Sequence, residues 1–137
     1  MTEPRSQGLL DTSVVITLDS ISDESLLPHE SFISAITLAE LSVGPLVSDN
    51  ELERARRQGH LQMAERDFDP IPFDSRAALA FGQVAASLRR SGRKPSARAY
   101  DAMIAATALA NSMPLYTRNA KDFVGIDGLE VVAVTNG

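Results

Sequence analysis

Four separated positions in the sequence carry side-chain oxygens that could together hold a divalent cation. Asp11 follows the apolar run "GLL", and Glu40 stands among apolar residues in "ITLAEL". Asp101 lies in "AYDAMIAATALA", and either Asn119 or Asp122 completes the set in "RNAKDF". Hard oxygen ligands without His or Cys select Mg²⁺ or Mn²⁺. Such an ion could activate a water molecule for attack at phosphorus.

Each of these side chains also has a purely structural interpretation. Asp11 is followed by two hydroxyl residues, a pattern typical of a helix N-cap. Glu40 could be an exposed position between apolar neighbours, and the segment after residue 117 could be a turn and a capped helical turn. Asp101 could pair with Arg98, three residues earlier on the same helix. A buried, unpaired carboxylate is costly, so any buried acid here needs compensation.

The elements that must position these acids alternate between strand and helix patterns. Short apolar runs with strand character lie at 9–10, 32–33, 71–73, 115–116 and 131–134, and helical patterns at 34–46, 50–68, 74–92 and 96–113. Alternation of this kind predicts an α/β fold with three layers, α/β/α, around a mostly parallel central sheet. Parallel sheets bind ligands beyond the carboxyl ends of their strands, where Asp11 and the 119–122 segment would lie.

The helical patterns differ in character. In the 34–46 helix, Ile36, Ala39 and Val43 share a face, and Gly44 marks the expected end. The 50–68 helix is polar, and the 74–92 helix begins at the cap Asp74. Ala and Ile cover nearly the whole circumference of the 96–113 helix, which predicts a central, buried helix.

Length, charge and composition limit the possible classes of protein. The 137 residues fit one domain, spanning 1–137 with residues 1–7 as a flexible N-terminal segment. There is no Cys and no long apolar run, which favours a cytoplasmic location. A net charge of -5 argues against a general polyanion binder, so binding of nucleic acid would need a local device such as a bound cation.

Two basic clusters could contribute to such binding. The stretch "RRSGRKPSAR" at 89–98 could hold phosphates beside the metal, or could be solvated surface charge at a helix end. Arg54, Arg56 and Arg57 fit a helix surface or a partner contact. Arg118 in "TRN" is nearer to the predicted site.

Six stretches in order, "LLDTSVVI", "SAITLAELSVG", "IPFD", "LRRSG", "YDAMIAATALA" and "YTRNAKDF", resemble one known family over most of the chain. The sequence is similar to the PIN-domain ribonucleases and, within them, to the VapC-like toxins of type II toxin–antitoxin pairs. The resemblance implies a PIN fold and a Mg²⁺- or Mn²⁺-dependent endoribonuclease. It also implies a VapB-like antitoxin as partner, an RNA substrate and a homodimer.

The resemblance assigns roles to residues of this sequence. Asp11, Glu40 and Asp101 match the three core acids of the family as catalytic metal ligands, and Asp122 is expected as the fourth, with Asn119 as a polar neighbour. Ser13 matches a small polar residue that contacts a phosphate or a carboxylate. The full set of expected substrate-binding residues is Ser13, Thr12, Arg98, Arg118 and Asn119.

Two other functions compete with this one. A signalling receiver domain also builds an acidic Mg²⁺ site on a parallel sheet, and Asp74 at the end of "IPFD" would be its phosphoacceptor. The chain lacks the paired acids after the first strand and the Lys beyond the last one that receivers usually carry. A catalytically inactive PIN-fold RNA-binding module is the other alternative, and Mn²⁺ titration separates it from the enzyme.

Overall fold

A four-stranded, all-parallel sheet forms the centre of the molecule. This computed structural model describes residues 6–94 and 98–135. The strands are β1 (Gln7–Leu10), β2 (Glu30–Phe32), β3 (Leu115–Thr117) and β4 (Val131–Ala133), in the order β2-β1-β3-β4. Leu9 pairs with Phe32 on one side and Leu115 on the other, and Leu10 pairs with Tyr116. The carboxyl ends of β1, β2 and β3 therefore meet at one edge.

Helices flank this sheet, and four of those that the structure describes begin at a side chain that caps the helix. The described residues form α1 (Thr12–Val15), α2 (Ala35–Leu46), α3 (Glu51–Asp67), α4 (Ser75–Arg90) and α5 (Ala99–Ala110). The side chains of Ser34, Asn50 and Asp74 each accept a hydrogen bond from the backbone N–H three residues later, at the starts of α2, α3 and α4. These bonds satisfy N–H groups that have no partner within the helix.

The two faces of the sheet pack into separate apolar clusters, which confirms the three-layer α/β/α fold. Leu9 and Leu115 face α4 and α5, and Leu10 and Tyr116 face α1, α2 and α3. Helix α5 buries Ala102 and residues 104–108, as its apolar circumference predicted. Alanine side chains allow the helix to lie close to the sheet, and this fixes its first turn beside the sheet edge.

The prediction of a strand at 71–73 is wrong. Ile71 forms only an isolated parallel bridge to Ser34, with hydrogen bonds from its N–H to the Ile33 carbonyl and from the Ala35 N–H to its own carbonyl. The partner segment becomes helix α2 at Ala35, directly after Ser34, so it offers no extended backbone along which the ladder could continue.

The boundaries and buried face of two other elements also differ from expectation. Helix α2 buries Thr37, Leu41 and Pro45, whereas Ala39 and Val43 of the predicted face are exposed. Apolar residues surround most of α2, which packs against both α3 and α5, so periodicity alone did not identify the buried face. The helix ends at Leu46, the last residue of the predicted 34–46 pattern. Strand β1 starts at Gln7, so the domain begins within the expected N-terminal segment, whose residues 1–5 lie outside the described residues.

In the described part of the chain, no helix combines the length and the apolar character that a membrane crossing requires.

Gly8→Ala should destabilise the protein by about 1–3 kcal/mol, the usual cost of overpacking a core. Gly8 lies on β1, the strand that ends just before Asp11. A Cβ at Gly8 would lie 2.4 Å from Cε1 of the buried Tyr116 ring. The free energy of unfolding in urea, followed by circular dichroism, measures the effect. Gly59→Ala is the matched control, because its Cβ would meet no atom within 4 Å and Ala favours the α3 helix by about 0.5–1 kcal/mol. Equal stability of Gly8→Ala and wild type would contradict the packing argument.

Candidate active site

Asp11 lies at the carboxyl end of β1 and is almost completely buried. Its Oδ1 accepts hydrogen bonds from the Val14 N–H at 3.2 Å and from the Ser13 hydroxyl at 2.5 Å, so Asp11 is the N-cap of α1. Its Oδ2 accepts a short hydrogen bond from the Thr117 hydroxyl at the end of β3. The cap interpretation is confirmed, and it leaves the second oxygen directed toward the neighbouring strand end.

The segment after β3 is hydrogen-bonded to α1, which follows β1. The Arg118 N–H donates to the Ser13 hydroxyl oxygen at 3.1 Å, and the Asn119 N–H donates to the Thr117 hydroxyl oxygen at 3.0 Å. Sequence reasoning missed Thr117. Its position in "YTRN" contained the signal, because a hydroxyl residue that ends a strand beside β1 must lie next to the acid that follows β1.

Glu40 projects from the second turn of α2 toward α1. Its Oε1 accepts a hydrogen bond from the Thr12 hydroxyl at 2.6 Å, and that hydroxyl lies 3.1 Å from the hydroxyl of Thr37. Glu40 is half-buried, so it is not an exposed position between apolar neighbours. Thr12 links Glu40 to the turn that begins at Asp11.

Asp101 and Asp122 meet at the side chain of Arg98. Asp101 is in the first turn of α5, and Asp122 is in the 3₁₀ turn Ala120–Phe123 that follows β3. Nη1 of Arg98 is 3.4 Å from Oδ2 of Asp101 and 3.1 Å from Oδ2 of Asp122. The predicted pairing of Asp101 with Arg98 is therefore present, and Arg98 shares it with the fourth acid. The same three side chains line a small pocket closed by Ala102 and Phe123.

Arg93 secures the turn that carries Asp122. Its guanidinium donates to the backbone carbonyls of Lys121 at 2.6 Å and Asp122 at 2.7 Å. Sequence reasoning placed Arg93 among phosphate-binding residues, and no sequence signal distinguished this carbonyl-bound arginine from its neighbours. Lys94, Arg98 and Lys121 line an open cleft beside Asp122.

Other basic residues form ion pairs and hydrogen bonds at the surface of the fold. Arg90 pairs with Asp127 at 2.6 Å on the surface, and Arg57 donates to the Gly44 carbonyl at 2.9 Å. Arg56 and Arg57 also bond to Glu53, and these hydrogen bonds lower the pKa of Glu53 to about 2. The helix-surface interpretation of the second basic cluster matches this arrangement.

The carboxylates lie close enough to influence one another's ionisation. Burial raises the pKa of Asp11, although hydrogen bonds from Ser13 and Thr117 oppose the rise. Burial also raises the pKa of Glu40, and the charges of Asp101 and Asp11 add to the effect. The pKa of Asp101 is raised by burial and by the charges of Asp11 and Asp122. Acids from two strand ends and two helices therefore share one negatively charged region.

This donor set fits a hard divalent cation by its chemistry, because the oxygens are carboxylates whose mutual repulsion such a cation would relieve. Within residues 6–94 and 98–135, no three acidic or imidazole groups already stand at the spacing of a coordination sphere. A bound ion would therefore have to draw the carboxylates closer together.

Comparisons with known proteins agree with the fold. The PIN domain family model matches residues 8–129. The chain belongs to the PIN domain family. Ribonuclease VapC5 of Mycobacterium tuberculosis is 35% identical over 136 residues, which cover 98% of each chain. The tRNA(fMet)-specific endonuclease VapC of Salmonella typhimurium is 30% identical over 99 residues, covering 72% of this PIN domain chain and 71% of that protein.

A solved relative has the same architecture. The crystal structure of VapBC-5 from Mycobacterium tuberculosis, a member of the VapBC family of toxin–antitoxin systems, contains a chain that superposes with a TM-score of 0.80 at 34% identity. The match covers 94% of the PIN domain chain and 99% of that chain. The resemblance to VapC-like PIN domains that the sequence predicted is confirmed.

Because the chain belongs to the PIN domain family, we set aside the interpretation as a receiver domain. Asp74, the residue that a receiver would phosphorylate, accepts a hydrogen bond from the Ala77 N–H at 3.0 Å and caps α4 of the PIN domain. Its carboxylate serves the start of a helix, as the cap pattern in the sequence indicated.

Glu40→Gln should stabilise the metal-free PIN domain at neutral pH. The pKa of Glu40 is raised in the folded state, so folded protein binds a proton there more tightly than the unfolded chain. The ionised carboxylate therefore destabilises the fold above its raised pKa, and this cost disappears as the pH falls toward 4.5, the ordinary Glu value. Unfolding in urea with a chelator should show a more stable variant at pH 7 and convergence with wild type near that lower pH.

Glu65→Gln on the exposed surface of α3 is the control, and its stability should follow wild type at both pH values. A Glu40→Gln protein less stable than wild type at pH 7 would show that the Thr12 hydrogen bond to the carboxylate outweighs burial and repulsion.

Proposed function

We propose that this PIN domain is a divalent-metal-dependent endoribonuclease toxin that cleaves RNA phosphodiester bonds and is neutralised by a VapB-like antitoxin. The observation that carries the proposal is a set of contacts between acids of separate elements. Thr12 joins Glu40 to the helix that Asp11 caps, and Arg98 joins Asp101 to Asp122. Relatives named as ribonucleases and as an endonuclease support RNA cleavage as the reaction.

Asp11, Glu40, Asp101 and Asp122 would hold one or two Mg²⁺ or Mn²⁺ ions. When bound, the metal lowers the pKa of a coordinated water and stabilises charge on the attacking and leaving oxygens of an in-line displacement. The protein's contribution is to orient the acids. Hydroxyl donors to Asp11 and to Glu40 favour the ionised carboxylates and fix their direction, as hydrogen-bond donors to metal ligands commonly do.

Asp122 is the better candidate for the fourth acid. Its charge acts on Asp101, and its carboxylate shares the Arg98 guanidinium with Asp101. Asn119 is exposed and contributes its backbone N–H to Thr117. Asn119 is therefore proposed as a polar neighbour that contacts substrate.

The proposed substrate contacts follow the cleft beside the acids. Arg98, with Lys94 and Lys121, offers positive charge to RNA phosphates next to Asp122. Thr12 begins α1 directly after Asp11, and Arg118 directly follows β3; both are proposed to contact the RNA at this sheet edge. Ser13 donates to Asp11 and accepts from the Arg118 N–H, which supports a carboxylate-positioning role within the substrate-binding loop.

Two surfaces fit the proposed protein partners. A groove between α1 and α3 is lined by both apolar and charged side chains, which include Val15, Leu18, Met63, Asp19, Arg56 and Arg66. It suits an antitoxin segment that carries both apolar and charged side chains. Leu46 and Leu52 are more than four-fifths exposed around the connection from α2 to α3, and this apolar patch is proposed for the homodimer. The VapBC-5 relative was solved as a member of the VapBC toxin–antitoxin family, which supports the antitoxin assignment.

Asp11→Asn and Asp101→Asn should each reduce RNA cleavage by more than about a hundredfold, because losing even a residue that only hydrogen-bonds to a metal ligand costs about 10–100-fold. Each substitution preserves the shape of the side chain, so circular dichroism should show a folded protein. Asp67→Asn, on the exposed end of α3, is the matched control and should cleave like wild type. Initial rates on a fluorescent single-stranded RNA provide the measurement, and undiminished cleavage by both site variants would eliminate the proposal.

Chelation should abolish cleavage, and Mg²⁺ or Mn²⁺ should restore it. Because the folded state binds the ion and the unfolded chain does not, Mn²⁺ at a hundred times its Kd should add about 2.7 kcal/mol to the free energy of unfolding. Thermal shift with and without Mn²⁺ tests this stabilisation separately from activity. RNA binding without cleavage or a metal response would instead support the inactive RNA-binding module.

A further inference from the structure

Arg98 places a single guanidinium nitrogen between two acids of the site. Nη1 lies 3.1 Å from an oxygen of Asp122 and 3.4 Å from an oxygen of Asp101. One positive atom that contacts one oxygen from each of two carboxylates has the arrangement of a bridging cation. We propose that Arg98 is a built-in counter-ion of the acidic site, which a divalent metal must displace from Asp101 and Asp122. This inference rests on the proposed metal-dependent function.

The contacts of Arg98 are weak enough to be exchanged. Its side chain is 54% exposed, and the carboxylates are reached through the same nitrogen, without the paired fork geometry of a strong Arg–carboxylate contact. Ion pairs exposed to solvent contribute little to stability, so displacement costs little. Asp122, in contrast, is only 16% exposed and is held in place by its turn.

Arg93 shows what a permanently anchored arginine looks like at the same turn. Its guanidinium donates two short hydrogen bonds to the backbone carbonyls of Lys121 and Asp122. A metal ion held by the carboxylates would not compete with Arg93 for these carbonyls. Arg93 fixes the backbone of Asp122, and Arg98 contacts the carboxylate of Asp122. The two arginines therefore have different tasks, the first structural and the second exchangeable.

The position of Arg98 in the chain keeps it near the site after displacement. It immediately precedes α5, and the cleft beside Asp122 is lined by Lys94 and Lys121 as well as by Arg98. A metal ion on Asp101 and Asp122 would repel the guanidinium into this cleft, where RNA phosphates are proposed to lie. The same side chain would then neutralise carboxylates before metal binding and phosphates after it.

Isothermal titration of metal-free protein with Mn²⁺ tests the counter-ion role without any RNA. Arg98→Gln should bind Mn²⁺ roughly fivefold more tightly than wild type, the upper end of what an exposed ion pair contributes. Arg98→Lys, which keeps the positive charge, should remain within about twofold of wild type. Arg90→Gln is the matched control, because it removes the same charge and an exposed ion pair, 2.6 Å to Asp127, outside the acidic cluster.

Tighter binding confined to Arg98→Gln supports the inference. Equal Kd values for wild type, Arg98→Gln and Arg90→Gln overturn it and leave the proposed metal site intact. Weaker binding by Arg98→Gln also overturns it, because Arg98 would then be assisting the carboxylates in holding the ion. Absence of Mn²⁺ binding by every protein would reject the metal-dependent function itself, and the inference with it.

Discussion

Repulsion among partly buried carboxylates is the constraint on which the rest of this structure depends. The fold brings Asp11, Glu40 and Asp101 together and raises the pKa of each, a cost that a fold must compensate. The compensation is local. Hydroxyls of Ser13 and Thr117 donate to Asp11, the hydroxyl of Thr12 donates to Glu40, and Arg98 neutralises Asp101 and Asp122.

The architecture explains why these hydroxyls are available. Parallel strands end at one edge of the sheet, so the residues that follow β1 and β3 lie side by side. Thr117 ends its strand beside Asp11, and Ser13 receives the N–H of Arg118 from the neighbouring loop. The same hydrogen bonds that orient the acids also join the segments that follow β1 and β3. Positioning of the site and stability of the fold are therefore provided by the same hydrogen bonds.

The sequence revealed the class of fold and the acids, because both leave local signals. Alternating strand and helix patterns predicted the α/β/α layers, and carboxylates in apolar surroundings marked Asp11, Glu40 and Asp101. The failures were at positions decided by long-range geometry. The strand at 71–73 is limited to one bridged residue because its partner segment becomes α2 at Ala35, and the buried face of α2 was decided by two neighbouring helices. The carbonyl contacts of Arg93 involve residues almost thirty positions away, and nothing in "GRK" distinguishes them.

The order of the strands in the sheet has a consequence for synthesis of the chain. Strand β3 lies between β1 and β4, although it is formed by residues 115–117 near the end of the sequence. Asp11 therefore gains its Thr117 contact, and Asp122 its place beside Asp101, only after residues 115–122 have been synthesised and have left the ribosome. In the proposed toxin, a polypeptide that stops before residue 115 would hold the first three acids without Thr117 and Asp122, so it would not form the complete site.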